Sequence, residues 1–494
     1  MTHIAIVGAY GSAGVAVADE LVERAPDAIR LTLIDDGDPG GGLCILRGCM
    51  PSKDVLSAAQ HRYQVRHDDR LSGAPAVDSE RVVARKDEHV AGFATHRRTH
   101  VHELAERENV TFHRATARFV GDRELRIDPT DPSTPEETIE PDYVVIATGS
   151  TVAVPDLPGI EDVPFDTSAD VLDATEFPDS GIVMGFGYVG LELAPYLAET
   201  GVDLTVIEHD DRPLDEFPAA YGETLLDLYR DDFGIDVLTN AVERRLERTD
   251  DGGVRLVVDR TDERTAVEAD ALYLFTGRRP ALEGLGLDET RLDPPADDDA
   301  PWVGSTLQAP NDERVFVVGD ANGREPILHV AKEQGFAAAR NVLAHANGTD
   351  LERYVNVPHH VIFSGLGAHP FARIGHTPAT VAKTEMAAIV VTREAAADGV
   401  FKTKNHPEGL ATLVVNADDG SVLGYQGLHL HADVMAKTMQ LAVELKLDVR
   451  TLPDRAYHPT TPEILDGLIR DATAELARRE GDVDHDAESA EGTP

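Results

Sequence analysis

One pattern occurs twice in this chain, and it limits the fold more than any other feature. THIAIVGAYGSAGVAVADELVER, from Thr2, is an apolar strand, a glycine-rich turn and an Ala/Val/Leu helix; LTLIDD then reads as a second strand ending in acids. The order returns in GIVMGFGYVGLELAPYLAETGVDLTVIEHD, from Gly181. A strand, glycine turn, helix and acid-tipped strand make a dinucleotide-binding unit. The glycines admit a pyrophosphate, the helix N-terminus faces it, and the acid accepts from ribose hydroxyls. In the first copy Gly8, Gly11 and Gly14 give GxxGxxG, with Ala9 where the stricter spacing has glycine, and Asp35 follows Gly14 by 21 residues. In the second, Gly185, Gly187 and Gly190 match GxGxxG and Glu208 ends the next strand. Two units imply two nucleotides, with one domain inserted in another.

At 494 residues the chain is long enough for roughly two to four domains. Its formal net charge of -44 comes from 89 acidic against 45 basic residues. Such a surface repels itself in dilute salt and is tolerable where the screening length has fallen to about 3 Å, near 1 M. The charge argues against nucleic-acid and anionic-membrane partners. With no signal-like N-terminus and no bilayer-length apolar run, the expectation is a cytoplasmic protein of a salt-rich cell.

Further strands ending in tight turns are DYVVIATGS (142–150), ALYLFTGRRP (271–280) and RVFVVGDANG (314–323), followed by the helix ILHVAKEQGFAAARNVLAHA. From about 350, HHVIF, AAIVV, LATLVVN and VLGYQGLHL alternate with two helices, a separate α+β domain. The stretch 481–494, GDVDHDAESAEGTP, is acidic and aperiodic, and is expected to be disordered. The cluster THRRTHVHELAER reads as a solvated helix face. His359 and His360 are adjacent on a strand and so point to opposite sides.

The chain's only two cysteines, Cys44 and Cys49, share the segment GGGLCILRGCMPSKDVL. Two buried thiols, a metal site and a redox pair are the alternatives. Zinc ordinarily takes four ligands and there is no second cysteine pair, so no metal site is expected. A redox pair fits better. The helix SKDVLSAAQHRYQ follows, its N-terminal amides would stabilise a thiolate, and Lys53 lies one helical turn beyond Cys49.

GGLCILRGCMPSK resembles the GGTCxNxGCxPSK redox loop of the pyridine nucleotide–disulfide oxidoreductases. The resemblance extends from residue 3 to about 475 through ordered motifs: the first glycine turn, the CxxxxC loop, ATGS, GxGxxGxE, TGRRP, GD and AYHPTTPE. It implies an α/β protein with two Rossmann-like domains, for FAD and NAD(P), and a C-terminal α+β dimerisation domain. Residues 1–155 and 277–348 would form the FAD domain, 156–276 the NAD(P) domain and 349–480 the dimerisation domain. FAD would meet Gly8, Gly11, Gly14, Asp35, Ala117, Thr148, Gly149 and Asp320. The nicotinamide coenzyme would meet Gly185, Gly187, Tyr188, Gly190, Glu192, Glu208 and Gly277, with Tyr188 as an aromatic gate. By the same resemblance Cys49 is the flavin-side thiol and Cys44 the interchange thiol, and Lys53 and Glu192 pair near the flavin. His458 carries the proton, supported by Glu463, and enters the partner subunit's site, so the expected state is an obligate homodimer.

Glu208 would accept from ribose hydroxyls and repel a 2′-phosphate, which favours NADH over NADPH. The expected reaction is NAD(P)H-dependent reduction of a low-molecular-weight disulfide, such as bis-γ-glutamylcystine or glutathione disulfide. The alternative is a dihydrolipoamide dehydrogenase acting on a lipoyl group. The Ile45-Leu46-Arg47 stretch between the cysteines, the altered first glycine turn and the long FSGLGAHPFARIG segment depart from that enzyme's pattern. A mercuric reductase is disfavoured because His458 is present and no further cysteines are. A non-catalytic flavin-binding assembly subunit is disfavoured because it would need none of these residues.

Overall fold

The computed structural model describes residues 1–261, 263–295, 302–455 and 457–491, with the backbone course alone from 481. The chain divides into two compact units. The first comprises 1–54, 80–154 and 277–356. Its eight-stranded sheet runs Gln308–Ala309, Asp312–Val317, Tyr143–Ile146, Thr2–Val7, Ile29–Asp35, Val110–Gly121, Glu124–Pro129, Glu137–Ile139. The strands from Asp312–Val317 to Val110–Gly121 pair in parallel. The central strands Thr2–Val7 and Tyr143–Ile146 are buried at nearly every residue, hence their apolar runs. Helices Ser12–Arg24 and Leu328–Ala346 cross at Gly335, where a Cβ would meet the Ala13 carbonyl oxygen at 2.6 Å and Ala16 Cβ at 2.8 Å.

The cluster expected to be a solvated helix face lies on Ser79–Ala105 and is partly engaged. Arg97 donates to the Tyr10 carbonyl at 2.9 Å, His102 Nε2 lies 2.8 Å from the Tyr10 hydroxyl, and His100 Nε2 lies 2.7 Å from Asp19 Oδ1. Long polar side chains reach across to the first glycine turn while their Cα atoms stay at the surface.

The second unit comprises 55–79, 155–276 and 357–494. A parallel sheet orders Asp236–Leu238, Asp203–Ile207, Ser180–Met184, Ala271–Leu274, Asp166–Thr167, beside an antiparallel meander of Ala241–Arg248, Val254–Arg260 and Glu263–Ala269. A second, antiparallel sheet orders His359–Ile362, Phe371–Gly375, Val422–Leu428, Leu410–Asn416, Ala388–Glu394. Helix Glu463–Glu491 packs on it through Ile464, Leu468, Ala472 and Leu476, a four-residue repeat along one face.

The two sheets of this unit share a buried seam. The Tyr221 hydroxyl, on helix Ala219–Asp231, lies 2.9 Å from Thr412 Oγ1 and donates to the Gln426 carbonyl at 3.0 Å. Tyr229, on the same helix, donates to the Leu191 carbonyl and accepts from the Gly365 N–H at 3.1 Å. Arg62 and Arg66 close on Glu199, whose side chain is 2% exposed, at 2.8 and 2.6 Å.

One expectation changes, and one strand is added to those read from the sequence: Phe371–Gly375, at the end of FSGLGAHPFARIG. The stretch from 481, expected to be disordered, continues the last helix through Glu491; 492–494 lie outside the described residues. Extending a helix already anchored by Leu468 and Leu476 is far easier than nucleating one, so acidic, Ala-containing sequence follows it. Among the described residues no helix is long and apolar enough to cross a membrane.

Candidate active site

The cysteine segment folds as two helical pieces. Cys44 lies on the turn Leu43–Leu46 and Cys49 begins helix Cys49–His67. Both are thiols, Cys44 half-buried and Cys49 exposed. A hydrogen bond with Cys49, then burial, then the neighbouring sulfur's charge push the Cys44 thiol well up from its ordinary value. Sulfurs that close can exchange a proton when reduced and a bond when oxidised. Ser52 Oγ donates to the Cys49 carbonyl at 3.1 Å, and Lys53 Nζ donates to Ser52 Oγ at 3.3 Å, so the helix's first turn is knitted beside the thiols. Arg47, between the cysteines, is exposed.

The first glycine turn is built to admit a ligand. Gly8 has φ +96°, and a Cβ there would strike the Ala147 carbonyl; one at Gly14 would strike the Gly8 carbonyl. Asp35, at the strand tip, accepts from the N–H groups of Tyr10 at 2.8 Å and Gly37 at 2.9 Å, and burial raises its carboxyl. Thr148 Oγ1 is buried without a hydrogen-bond partner among the described residues, while a Cβ on Gly149 would meet nothing. Asp320 accepts from Ser150 Oγ at 2.6 Å, and Arg278 donates to the same hydroxyl at 2.8 Å. An orphaned hydroxyl, an open glycine and a turn of N–H groups fit the phosphate and ribose of FAD. Ala117 lies buried in strand Val110–Gly121, paired with Ile127, and Gly11 caps the helix.

In the second unit Gly185 has φ +95° and Gly190 packs against its carbonyl, whereas a Cβ at Gly187 would meet nothing within 4 Å; the same open space lies at Gly277 of the first unit. The helix–strand approach thus needs Gly190, and only a ligand would need Gly187. Glu208 accepts from the Asp210 N–H at 3.0 Å and burial raises its carboxyl. Tyr188 is 41% exposed and stands edge-on to His360, ring centroids 4.2 Å apart. His360 is a neighbour that sequence reasoning passed over; the other half of that pair, His359, holds the Val357 carbonyl at 2.7 Å. Glu192 accepts from the Phe363 N–H at 3.0 Å.

His458 and Glu463 are brought together. Both carboxylate oxygens lie by His458 Nδ1, at 3.1 and 3.2 Å, and Glu463 Oε1 also accepts the Thr460 N–H at 2.9 Å. The carboxylate begins the last helix, while the imidazole, 82% exposed, offers its other nitrogen to solvent.

The family model of the pyridine nucleotide-disulphide oxidoreductases matches residues 2–335, and that of their dimerisation domain matches 361–468. Dihydrolipoyl dehydrogenase of Halobacterium salinarum is 28% identical over 470 residues, 94% of each chain. Mercuric reductase of Shigella flexneri is 28% identical over 92% of this chain and 78% of its own. Among solved structures, the Cu(II) complex of the HOCl-induced flavoprotein disulfide reductase RclA from Escherichia coli superposes with a TM-score of 0.78 at 23% identity, covering 95% and 98% of the two chains. LpdA from Mycobacterium tuberculosis does so at 0.79 and 22%, covering 95% and 99%. With its paired cysteines, two glycine turns and a dimerisation domain, the chain belongs to the pyridine nucleotide-disulphide oxidoreductases, FAD-dependent enzymes that use NAD(P)H and act on sulfur groups.

Proposed function

We propose that this enzyme reduces a small, carboxylate-bearing disulfide of the bis-γ-glutamylcystine or glutathione disulfide class. The observation behind the reading is Arg47, an exposed guanidinium in the loop between the two thiols. A guanidinium pairs bidentately with a carboxylate, and a lipoyl amide carries none.

The first glycine turn, Asp35 and Thr148 would hold FAD, which would supply the electron pair of NAD(P)H for reduction of the Cys44–Cys49 disulfide. Cys44 then attacks one sulfur of the substrate, forming a mixed disulfide and displacing the other half as a thiolate. His458, held by Glu463, protonates that thiolate. Cys49 attacks the Cys44 sulfur, re-forms the internal disulfide and releases the second half, which takes up another proton. The sum is one NAD(P)H, one proton and one disulfide converted to NAD(P)⁺ and two thiols. His458 serves the cysteines of the partner subunit, so the homodimer is obligate.

The test is steady-state oxidation of NADH and NADPH in molar KCl with bis-γ-glutamylcystine, glutathione disulfide and lipoamide offered separately. The expected kcat/KM for a carboxylate-bearing disulfide exceeds that for lipoamide by about tenfold or more, and Arg47→Ala removes about that factor. The reverse preference would overturn the reading in favour of dihydrolipoamide oxidation, the second reading, which the names of several relatives favour.

A further inference from the structure

Outside the redox machinery, three side chains from two distant segments converge in the second unit. His369 follows the turn Gly365–Gly367, and His406 and Glu408 lie in the loop between helix Gly399–Thr403 and strand Leu410–Asn416. One ligating atom from each lies within 4.8 Å of the others. His369 is 2% exposed, His406 half-buried and Glu408 exposed, so the group runs from the core to an open mouth. The two imidazoles meet edge-on, centroids 5.2 Å apart at 68°, instead of stacking.

Hydrogen bonds behind the group orient it. Tyr63 donates to Asp232 Oδ2 at 2.8 Å, and its oxygen stands 3.5 Å from His369 Nε2. His67 Nε2 lies 3.9 Å from the other oxygen of Asp232, and the His67 carbonyl accepts from Asn405, the neighbour of His406, at 2.9 Å. A carboxylate acting through a neighbour on a histidine is the outer arrangement that fixes ring orientation in metal centres.

We propose that His369, His406 and Glu408 form a site for a divalent transition-metal ion of the zinc class, with a fourth position open to water. Two imidazoles and a carboxylate are a zinc donor set, and no redox-active cysteine takes part. Ligands about 2.1 Å from one ion stand roughly 3.3 Å apart, so the group closes by about 1–1.5 Å, which the exposed Glu408 supplies by side-chain rotation. The ion would clamp the His369 turn to the loop that leads into the dimerisation-domain sheet.

The experiment removes the competing thiols. FAD-loaded full-length dimer carrying Cys44→Ser and Cys49→Ser is stripped with EDTA and titrated with Zn²⁺ in molar KCl against a chromophoric chelator. One Zn²⁺ per chain is expected, with a thermal midpoint that rises on loading. His406→Ala and Glu408→Ala, both away from the fully buried ligand, should each weaken binding about 100-fold and abolish the rise, and Asp232→Asn about tenfold. Absence of saturable binding would overturn the site, as would affinity unchanged in both His406→Ala and Glu408→Ala.

Discussion

The His458–Glu463 pair gives the plainest test at the scale of single residues. His458→Ala should slow disulfide turnover about 10²–10⁴-fold at unchanged FAD content, because a leaving thiolate then has no placed proton donor. Rates near wild type in stopped-flow reduction assays would move that role elsewhere. Glu208 carries a pH dependence. Burial raises its carboxyl, so its charge is complete only above that raised value. Discrimination against the 2′-phosphate should therefore be full there and fade as pH falls through it, at a higher pH than for an exposed glutamate. Glu208→Gln should flatten the profile of the NADH-to-NADPH ratio of kcat/KM and lower the ratio about tenfold. These residues were legible because each sits at a fixed offset in a local motif. His369, His406 and Glu408 were not, since their proximity arises only when a turn and a loop some forty residues apart fold against each other.

Among elements, the second glycine turn separates folding from binding. Gly187 has φ −73° and open space at its Cβ position, so alanine should leave the thermal midpoint nearly unchanged while raising the coenzyme KM about tenfold. Gly190→Ala should instead destabilise by about 1–3 kcal/mol, because its methyl meets the Gly185 carbonyl. Equal loss of stability in the two variants would contradict that division. The paired sheets and glycine turns could be read from apolar runs ending in turn residues. The short strand Phe371–Gly375 and the helical course of 481–491 could not, since one is set by its neighbours in the sheet and the other by the helix before it. The buried Glu199 was equally silent in the sequence. Its partners Arg62 and Arg66 lie on another helix, and Glu199→Ala should cost about 1–3 kcal/mol in denaturant melts by unpairing two partly exposed guanidinium groups.

For the whole molecule, the net charge of -44 sets a salt requirement. Between about 0.1 M and 1 M KCl the screening length falls from about 10 Å to about 3 Å, so the thermal midpoint should climb over that range; a flat midpoint would deny that self-repulsion limits stability. Co-expression of Cys49→Ser with His458→Ala tests the dimer. If His458 serves the partner's cysteines, mixed dimers hold one intact site, and activity should return to roughly a quarter of wild type. Neither variant alone supplies it, and no return would place the histidine with its own chain's cysteines. The tyrosine seam has a consequence of another kind. Tyr221 and Tyr229 tie the coenzyme-binding sheet to the dimerisation sheet through buried hydroxyls, and opening either sheet alone would strand those groups in an apolar interior. The two sheets should therefore exchange their slowest amide protons at one common rate, and anything that tightens the subunit interface should slow exchange around the coenzyme turn as well.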